Sequence, residues 1–239
     1  MGTSYGIIAT IRIKNISYLF RVADFCTFAA KQLQMKALLI NGSPHANGCT
    51  FTALNIVAEE LQKNGIETEI VHIGNKDIRG CIACGKCAEL GRCVFNDMVN
   101  EVAPKFEQAD GLVVGSPVYY AGPNGTLTNL LDRLFFSTPF DKRMKVGAAV
   151  VSARRGGTTA AFDRLNKYFT ISEMPIVSSR YWNMVHGHSA EDVMKDEEGV
   201  QIMRILGRNM AFLIRAIAAE RERNGLPEKE ETKYTNFIR

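Results

Sequence analysis

The chain has 239 residues, of which 46% are hydrophobic and 23% charged, as in an ordinary globular protein with enough residues to bury its own core. No stretch approaches the roughly 20 apolar residues that a membrane-spanning helix needs, so we expect a cytoplasmic protein without a membrane partner. Residues 1–34 carry most of the net charge of +4, and the rest has no Lys/Arg run interleaved with aromatic residues, which excludes a nucleic-acid partner.

Residues 1–34 differ from the rest of the chain. Their apolar run at residues 18–20 is interrupted by Arg21 and Asp24, and regular periodicity begins only at a second methionine, Met35. We therefore expect residues 1–34 to be an N-terminal extension, either a leader or the product of an upstream start. Residues 35–239 are expected to form one domain with a cysteine-rich loop at residues 81–93 and a C-terminal helical segment.

From Met35 onward, predicted strands and helices alternate. Residues 36–40 form a short apolar run that ends at Asn-Gly-Ser-Pro, as a buried parallel strand does, and Thr50 or Thr52 can cap the helix that follows. The remaining predicted strands are residues 67–73, 111–115, 146–151 and 176 onward, and the remaining predicted helices are residues 97–108, 126–136, 158–169 and 190–224.

Two element boundaries have clear chemical causes. Asp97 is expected to cap the helix at residues 97–108, because its carboxylate accepts hydrogen bonds from the N–H groups of a first turn. Ser116-Pro117 is expected to end the third strand abruptly, because proline donates no ladder hydrogen bond and restricts the residue before it. The last predicted helix is long enough to cover the sheet or a partner subunit.

This alternation predicts an α/β fold with a doubly wound parallel sheet of five strands in the order 2-1-3-4-5 and helices on both faces. In such a sheet, ligands bind beyond the carboxyl ends of the strands, at the point where the strand order reverses. We therefore expect the loops after strands one, three and four to meet around one ligand.

The first of these loops, residues 41–50, suits a flavin mononucleotide phosphate. It places hydroxyl groups and backbone N–H groups at the positive end of a helix. It is not a P-loop, because five residues separate Gly42 from Gly48 and no lysine follows, and it lacks the dinucleotide and C-x5-R fingerprints, so NAD is not its resident ligand. A simple tight turn is the alternative. The candidate contacts are Ser43, His45, Asn47, Gly48, Cys49 and Thr50.

The other two loops have the composition of a flavin-ring site. In the loop at residues 115–125, tyrosine rings and backbone N–H groups can face an isoalloxazine, or the aromatic residues can simply pack on the core. Arg154 and Arg155, in the loop at residues 152–157, can favour a reduced flavin anion, meet the phosphates of NAD(P)H, or lie in solvent. The candidates are Pro117, Val118, Tyr119, Tyr120, Ala121, Gly122, Ser152, Arg154, Arg155, Gly156 and Gly157.

Four of the six cysteines lie within thirteen residues, at Cys81, Cys84, Cys87 and Cys93. Their short spacings allow four thiolates to converge, which favours a [4Fe–4S] cluster; a zinc ion and free thiols are the alternatives. Disulfides are disfavoured because no credible signal peptide precedes the cluster. Cys26 and Cys49 are not expected to be metal ligands.

Three stretches carry a family resemblance over about residues 35–182, namely INGSPHANGCT, VVGSPVYYAGPNGTLTNLLDR and CIACGKCAELGRCVFNDM. The chain resembles the NADPH-dependent FMN reductase and iron–sulfur flavoprotein family of the flavodoxin-like fold. The resemblance implies a homodimer or homotetramer. This sequence departs from the family pattern at Cys49, where relatives commonly have Asn. It also implies phosphate contacts from Ser43, Asn47, Gly48 and Thr50, and ring contacts from residues 117–122 and 152–157.

The expected function is that of an FMN-dependent oxidoreductase. A small-molecule or protein donor, either NAD(P)H or a ferredoxin-like protein, reduces the flavin, which passes electrons to an acceptor. A non-catalytic flavodoxin-like electron carrier is one alternative, and a zinc-binding interaction protein is another. No paired carboxylates and no Ser/His/Asp set are visible, so no catalytic acid or base is predicted.

Overall fold

The computed structural model describes residues 34–235 and residue 237. The predicted N-terminal extension lies outside the described residues except for Gln34, and so does Cys26. The strands are β1 (Lys36–Asn41), β2 (Glu67–His72), β3 (Gly111–Tyr119), β4 (Gly122–Pro123), β5 (Val146–Ala153) and β6 (Met184–His186). The helices are α1 (Cys49–Lys63), α2 (Cys87–Leu90), α3 (Met98–Gln108), α4 (Gly125–Ser137), α5 (Thr158–Thr170), α6 (Ala190–Lys195) and α7 (Glu197–Asn224).

Five parallel strands form the main sheet in the order β2-β1-β3-β5-β6. When these core strands alone are counted, this is the predicted order 2-1-3-4-5, which is confirmed. The short β4 adds an antiparallel hairpin to the end of β3. The strand order reverses between β1 and β3, and the carboxyl ends of both strands lie at the same edge of the sheet.

Alternating side chains of the strands divide the core into two layers. Leu38 and Ile40 of β1 pack in one cluster with α3, α4 and α5, whereas Ala37 and Leu39 pack in the other with α1, α6 and α7. Successive residues of a strand point to opposite faces, so a strand covered on both sides is apolar throughout. The predicted placement of helices on both faces is confirmed. Within the described part of the chain, no helix combines the length and apolar character needed to cross a bilayer.

The third strand continues beyond its predicted end. Pro117 pairs in register with Ser152 of β5, and β3 extends to Tyr119. On the opposite side of β3, the pairing with β1 ends at Asn41 and Gly115. Pro117 therefore occupies a position with one open side, where the missing N–H removes no ladder hydrogen bond.

The fifth strand and the C-terminal helix also differ from the prediction. Ile176 makes one isolated bridge to Gly147, and the chain rejoins the sheet as β6 only at Met184. The predicted helix at residues 190–224 is divided at Asp196, whose carboxylate caps α7 by accepting from Gly199 N at 2.9 Å. The predicted Asp97 cap of α3 is confirmed, since this carboxylate accepts from the second helical N–H.

Candidate functional site

Three loops meet at the carboxyl edge of the sheet: the phosphate loop (residues 42–48), the hairpin (residues 117–123) and the glycine loop (residues 152–157). We call them together the three-loop site. Gly42 N donates to Gly115 O at 2.8 Å, and Asn124 Nδ2 donates to Gly42 O at 2.8 Å. The structure therefore ties the first loop to the strand that carries the second.

The glycine loop is tied to both of the others. The hydroxyl groups of Thr50, at the start of α1, and Ser152 are hydrogen-bonded at 2.8 Å, and both side chains are buried. Gly157 lies so close to the hairpin that a Cβ atom there would be 2.9 Å from Ala121 Cα and 3.0 Å from Val118 Cγ1. The three loops predicted to meet are thus brought together.

The shape of the phosphate loop is set by the fully buried Asn41, which ends β1. Its Oδ1 accepts from Ser43 N at 3.1 Å, and its Nδ2 donates to Ala46 O at 3.3 Å. Ser43 Oγ in turn accepts from His45 N at 3.1 Å. The backbone thus curls around the buried Ser43 side chain, while His45 and Asn47 lie exposed at the tip of the loop.

Two further contacts fix this loop from outside. Gly42 lies in a gap that only glycine fits, because an added Cβ would be 2.5 Å from Leu127 Cδ2 and 2.7 Å from Gly115 O. His72 Nε2 lies 2.8 Å from Ser43 O. Since a carbonyl oxygen only accepts hydrogen bonds, the ring carries a proton on Nε2 and donates to the loop.

Helix α1 begins without a side-chain cap. Gly48 is the N-cap residue, and no acidic residue lies in the first turn. The predicted cap by Thr50 or Thr52 is wrong, because Thr52 Oγ1 donates back to Gly48 O at 3.2 Å and Thr50 lies inside the helix, against Ser152. The first N–H groups therefore have no side-chain acceptor, which is the arrangement in which a helix end binds an anion.

The hairpin turns through two residues in the left-handed region. Tyr120 has φ 49° and Ala121 has φ 61°, as a two-residue type I′ turn requires, although neither residue is glycine. The Tyr120 side chain is fully exposed, and Tyr119 is about half exposed. Such backbone strain is typical of functional sites, where the surrounding contacts hold it.

The glycine loop presents backbone and positive charge. Gly157, at φ 95°, is the N-cap of α5 and supplies no side-chain hydrogen bond, so a second helix begins uncapped at this edge of the sheet. Arg154, Arg155 and Gly156 are exposed. The site thus combines buried hydroxyl groups, two uncapped helix ends and two exposed guanidinium groups.

The four clustered cysteines line one open hollow on the surface of the protein. Cys81 and Cys84 are exposed, Cys87 is partly buried and Cys93 is buried. Among residues 34–235, no three His, Cys, Asp or Glu side chains are close enough together to hold a metal ion. The structure therefore brings the predicted ligands to one place without assembling them into a ligand set.

Hydrogen bonds hold both the side chain and the backbone of Cys93. Arg133, only 1% exposed, donates from Nη2 and Nε to Cys93 Sγ at 3.2 and 3.3 Å, and its guanidinium also forms a two-pronged ion pair with Asp97 at 2.7 and 2.9 Å. Asn100 holds the backbone by accepting from Cys93 N at 3.1 Å and donating to Cys93 O at 3.0 Å. This sulfur therefore faces a buried positive charge.

Burial and hydrogen bonding act on the ionisable groups here in opposite directions. Burial works against the charge of the Arg133 guanidinium, but the hydrogen bonds to Asp97 and Cys93 outweigh it and raise the pKa of Arg133, so this group stays charged. At the first residue of α1, burial raises the pKa of the Cys49 thiol, as do Asp192 and Glu191. Cys49 therefore stays protonated and is not an activated nucleophile.

Two features of the hollow fit an iron–sulfur cluster. Ser137 lines the hollow, and its buried hydroxyl has no hydrogen-bond partner among the described residues. N–H groups already point at sulfur, since Ala83 N donates to Cys81 Sγ at 3.4 Å. Four thiolates with N–H donors around them are the donor set that iron–sulfur clusters use.

Several residues that shape these sites were not predicted from the sequence. Asn41 and Asn124 hold the phosphate loop, and Arg133, Asn100 and Ser137 surround the cysteine hollow. For two of these residues, the position in the sequence is itself a signal of their role. Asn124 stands where a helix cap is expected, and its side chain does accept from Thr126 N. Arg133 interrupts the apolar face of α4, and a charge there indicates a buried partner.

Comparison with known proteins identifies the family. The sequence profile of the NADPH-dependent FMN reductases matches residues 35–189. An iron–sulfur flavoprotein of Methanocaldococcus jannaschii is 35% identical over 198 residues, which cover 77% of this chain and 99% of that protein. One of Archaeoglobus fulgidus is 31% identical over 202 residues, covering 79% and 100%. An archaeal flavodoxin shares the fold, with a TM-score of 0.52 at 15% identity over 76% of this chain and 99% of that one. The chain belongs to the NADPH-dependent FMN reductase family.

Proposed function

We propose that this protein is an FMN-dependent oxidoreductase that takes electrons from a soluble donor and passes them through bound FMN to an acceptor. The observation that carries the proposal is the direct contact among the three loops at the carboxyl edge of the sheet. A flavin-binding site of this fold needs all three loops at that edge, and the family match covers each of them.

The phosphate loop is the proposed binding site for the FMN phosphate. The uncapped start of α1 offers backbone N–H groups, and the buried Ser43 and Thr50 add hydroxyl groups. In this proposal the exposed loop tip, with His45 and Asn47, closes over the phosphate, and Gly48 and Cys49 contribute backbone N–H groups. An uncharged loop of this kind binds a phosphate through oriented dipoles rather than through a lysine.

The hairpin and the glycine loop are the proposed walls for the isoalloxazine ring. Residues 117–122 supply backbone groups held rigidly by the type I′ turn, and the ring faces of Tyr119 and Tyr120 are open to a ligand. Ser152, Gly156 and Gly157 bring the opposite backbone close. FMN supplies the redox chemistry, and this chain holds the ring in place and excludes water from it.

Arg154 and Arg155 are proposed to attract the phosphates of NAD(P)H, the proposed electron donor. Both are exposed on the rim of the site, so their charges are accessible to a second ligand. Guanidinium groups pair with phosphate through two parallel hydrogen bonds, which suits a dinucleotide that binds and leaves in each cycle.

Cys81, Cys84, Cys87 and Cys93 are proposed to hold a [4Fe–4S] cluster, which supplies one-electron transfer when bound. The position of all four cysteines around one hollow supports this assignment, and two relatives that cover most of this chain are named iron–sulfur flavoproteins. The role of this chain is to converge four thiolates and to shield them with the apolar walls of the hollow.

The test is purification without air, followed by measurement of FMN, iron and acid-labile sulfide per chain and a stopped-flow record after NADPH is added. We expect one FMN per chain and loss of the flavin absorbance on mixing with NADPH. Bound FMN that NADPH and NADH fail to reduce would point to the electron carrier instead. A colourless protein that contains zinc would overturn the proposal in favour of an interaction protein.

The assembly state and the cellular location stay predictions from the sequence. A homodimer or homotetramer in the cytoplasm accords with the proposed soluble donor and acceptor, either of which is a small molecule or a protein. Light scattering of the FMN-loaded protein measures the assembly state.

A further inference from the structure

One face of α4 is turned toward the cysteine hollow and carries two polar side chains. Arg133 and Ser137 are four residues apart, so they lie one above the other on the same face of the helix. They are 1% and 6% exposed, respectively, and both line the hollow. Polar groups are rarely buried on an apolar helix face without a partner to bind.

The position of the Arg133 guanidinium is fixed by its contacts. Besides its bonds to the Cys93 sulfur and to Asp97, Nη1 donates to Arg79 O at 3.2 Å. Its Cζ lies 5.1 Å from the centre of the Phe95 ring, and Arg79 lies over the same ring at 4.7 Å. The group therefore has little freedom to rotate away from the sulfur.

Ser137 is the complementary case, a donor without an acceptor. The residue lines the same hollow, and its hydroxyl is buried and has no partner among the residues that the structure describes. An unsatisfied buried hydroxyl is costly, and an acceptor that enters the hollow would remove this cost. Sulfur atoms bound there are acceptors of the required kind.

We propose that Arg133 and Ser137 are positioning residues of the cysteine site: Arg133 holds the Cys93 sulfur in place, and both side chains donate hydrogen bonds to sulfur atoms in the hollow. This inference rests on the proposed function, because it requires that the four cysteines hold a cluster. Donors to sulfur delocalise its negative charge, which raises a cluster's reduction potential and slows the loss of its metal.

The test compares three variants of the full chain, purified without air. The first combines Arg133→Met with Asp97→Asn, which removes the buried charge pair together and keeps a good helix cap. The second is Ser137→Ala. The control, Arg164→Met, removes an arginine that pairs with an aspartate and an aromatic ring elsewhere, namely Asp132 and Tyr168.

The readouts are the cluster's midpoint potential from a redox titration monitored by electron paramagnetic resonance, and the rate of iron release to a chelator. We expect a more negative potential in both test variants, and iron release roughly 10-fold faster than in the wild type for the Arg133 variant. The control should match the wild type in both readouts.

The inference is overturned if both test variants have the same midpoint potential and the same iron-release rate as the control. In that case, iron and sulfide in the wild-type protein would still support the proposed cluster. If the double variant fails to fold, as judged by circular dichroism, Ser137→Ala still decides the matter through its potential. A wild-type protein without iron after reconstitution would refute the cluster and the inference together.

Discussion

Buried polar side chains decide where the loops of the three-loop site lie. Asn41, Thr50 and Ser152 are almost completely buried, and each makes its hydrogen bonds inside this site. A buried polar group without a partner destabilises the fold, so each of these pairs holds its loops in a single arrangement. The site is therefore already formed before a ligand binds.

Replacement of Thr50 by Val tests this arrangement. Val has nearly the shape of Thr but no hydroxyl group, so Ser152 loses its partner and the proposed phosphate site loses one donor. We expect the dissociation constant of FMN to rise about 5-fold to 10-fold, which corresponds to a loss of about 1 kcal/mol. The measurement is a fluorescence titration of flavin-free protein.

Thr170→Val is the matched control, because Thr170 is exposed at the end of α5. Its affinity for FMN should equal that of the wild type. If Thr50→Val also binds FMN with wild-type affinity, the hydroxyl pair has no part in flavin binding.

Single residues were predictable from the sequence where local spacing carried the information. The cysteine cluster and the phosphate loop are short continuous stretches, so the sequence alone predicts a chemistry for each, and that chemistry stays a prediction. Arg133 meets a cysteine 40 positions earlier in the chain. The helical period placed it in α4, but only the packing of α4 against the cysteine loop shows that it faces Cys93.

Between elements, the contact of α1 with α7 is unusually close. At Gly207 an added Cβ would be 2.7 Å from Glu60 Cβ and 3.0 Å from Val57 O. Glu60 accepts hydrogen bonds from Lys63 of its own helix and from Arg208 of α7, both at 3.0 Å. The carboxylate is the charged group that joins the two helices at their closest approach.

This contact predicts a pH dependence of stability. The hydrogen bond from Lys63, followed by that from Arg208, outweighs partial burial and lowers the pKa of Glu60 below its ordinary value of 4.5. A lowered pKa contributes stability above pH 4.5, and this contribution is lost as the pH falls through the folded-state pKa. At neutral pH, Glu60→Gln should therefore unfold with roughly 1 kcal/mol less free energy than the wild type.

Urea unfolding followed by circular dichroism measures this difference at neutral pH and again well below pH 4.5. The gap between the variant and the wild type should narrow at the lower pH. Glu59→Gln, at the exposed neighbouring position, is the control and should show little change. A gap that stays constant with pH would show that the charge of Glu60 has no role in joining the helices.

The sequence predicted the existence of elements better than their ends. Apolar runs gave β1 and β5, because strands buried on both faces are continuously hydrophobic. The fifth strand was placed too early, because the apolar residues Ile176 and Val177 reach the sheet at Gly147 and the chain then leaves the edge until Met184. Only the backbone pairing seen in the structure distinguishes such an isolated bridge from a strand.

At the scale of the whole molecule, both core layers of the described residues lie within the family-matched domain and the two helices that follow it. The two hydrophobic clusters draw on residues from Met35 to Ile217, and the family match begins at residue 35. The predicted order of the sheet is one that suits five alternating strands, because right-handed crossovers leave few arrangements for five parallel strands. The hairpin at β4 could not be predicted in this way, because its two residues in the left-handed region, Tyr120 and Ala121, are not glycine.

A chain that starts at Met35 should therefore fold and bind FMN with the same stoichiometry as the full chain. The reason is that the core clusters and the three-loop site are built from later residues. The measurements are bound FMN per chain and the thermal midpoint followed by circular dichroism. A truncated chain that aggregates or loses FMN would show that residues 1–34 contribute to the folded domain.

Helix α4 contacts both the three-loop site and the cysteine hollow, at different positions along its length. Asn124, at its N-cap, binds the phosphate loop, and Arg133, nine positions later, binds Cys93. At about 1.5 Å per residue, these two residues are about 13 Å apart along the helix axis. One inserted or deleted residue would turn Arg133 by about 100° and aim it away from the sulfur. Chain-length variation is therefore expected in the turns on either side of this helix and not within it.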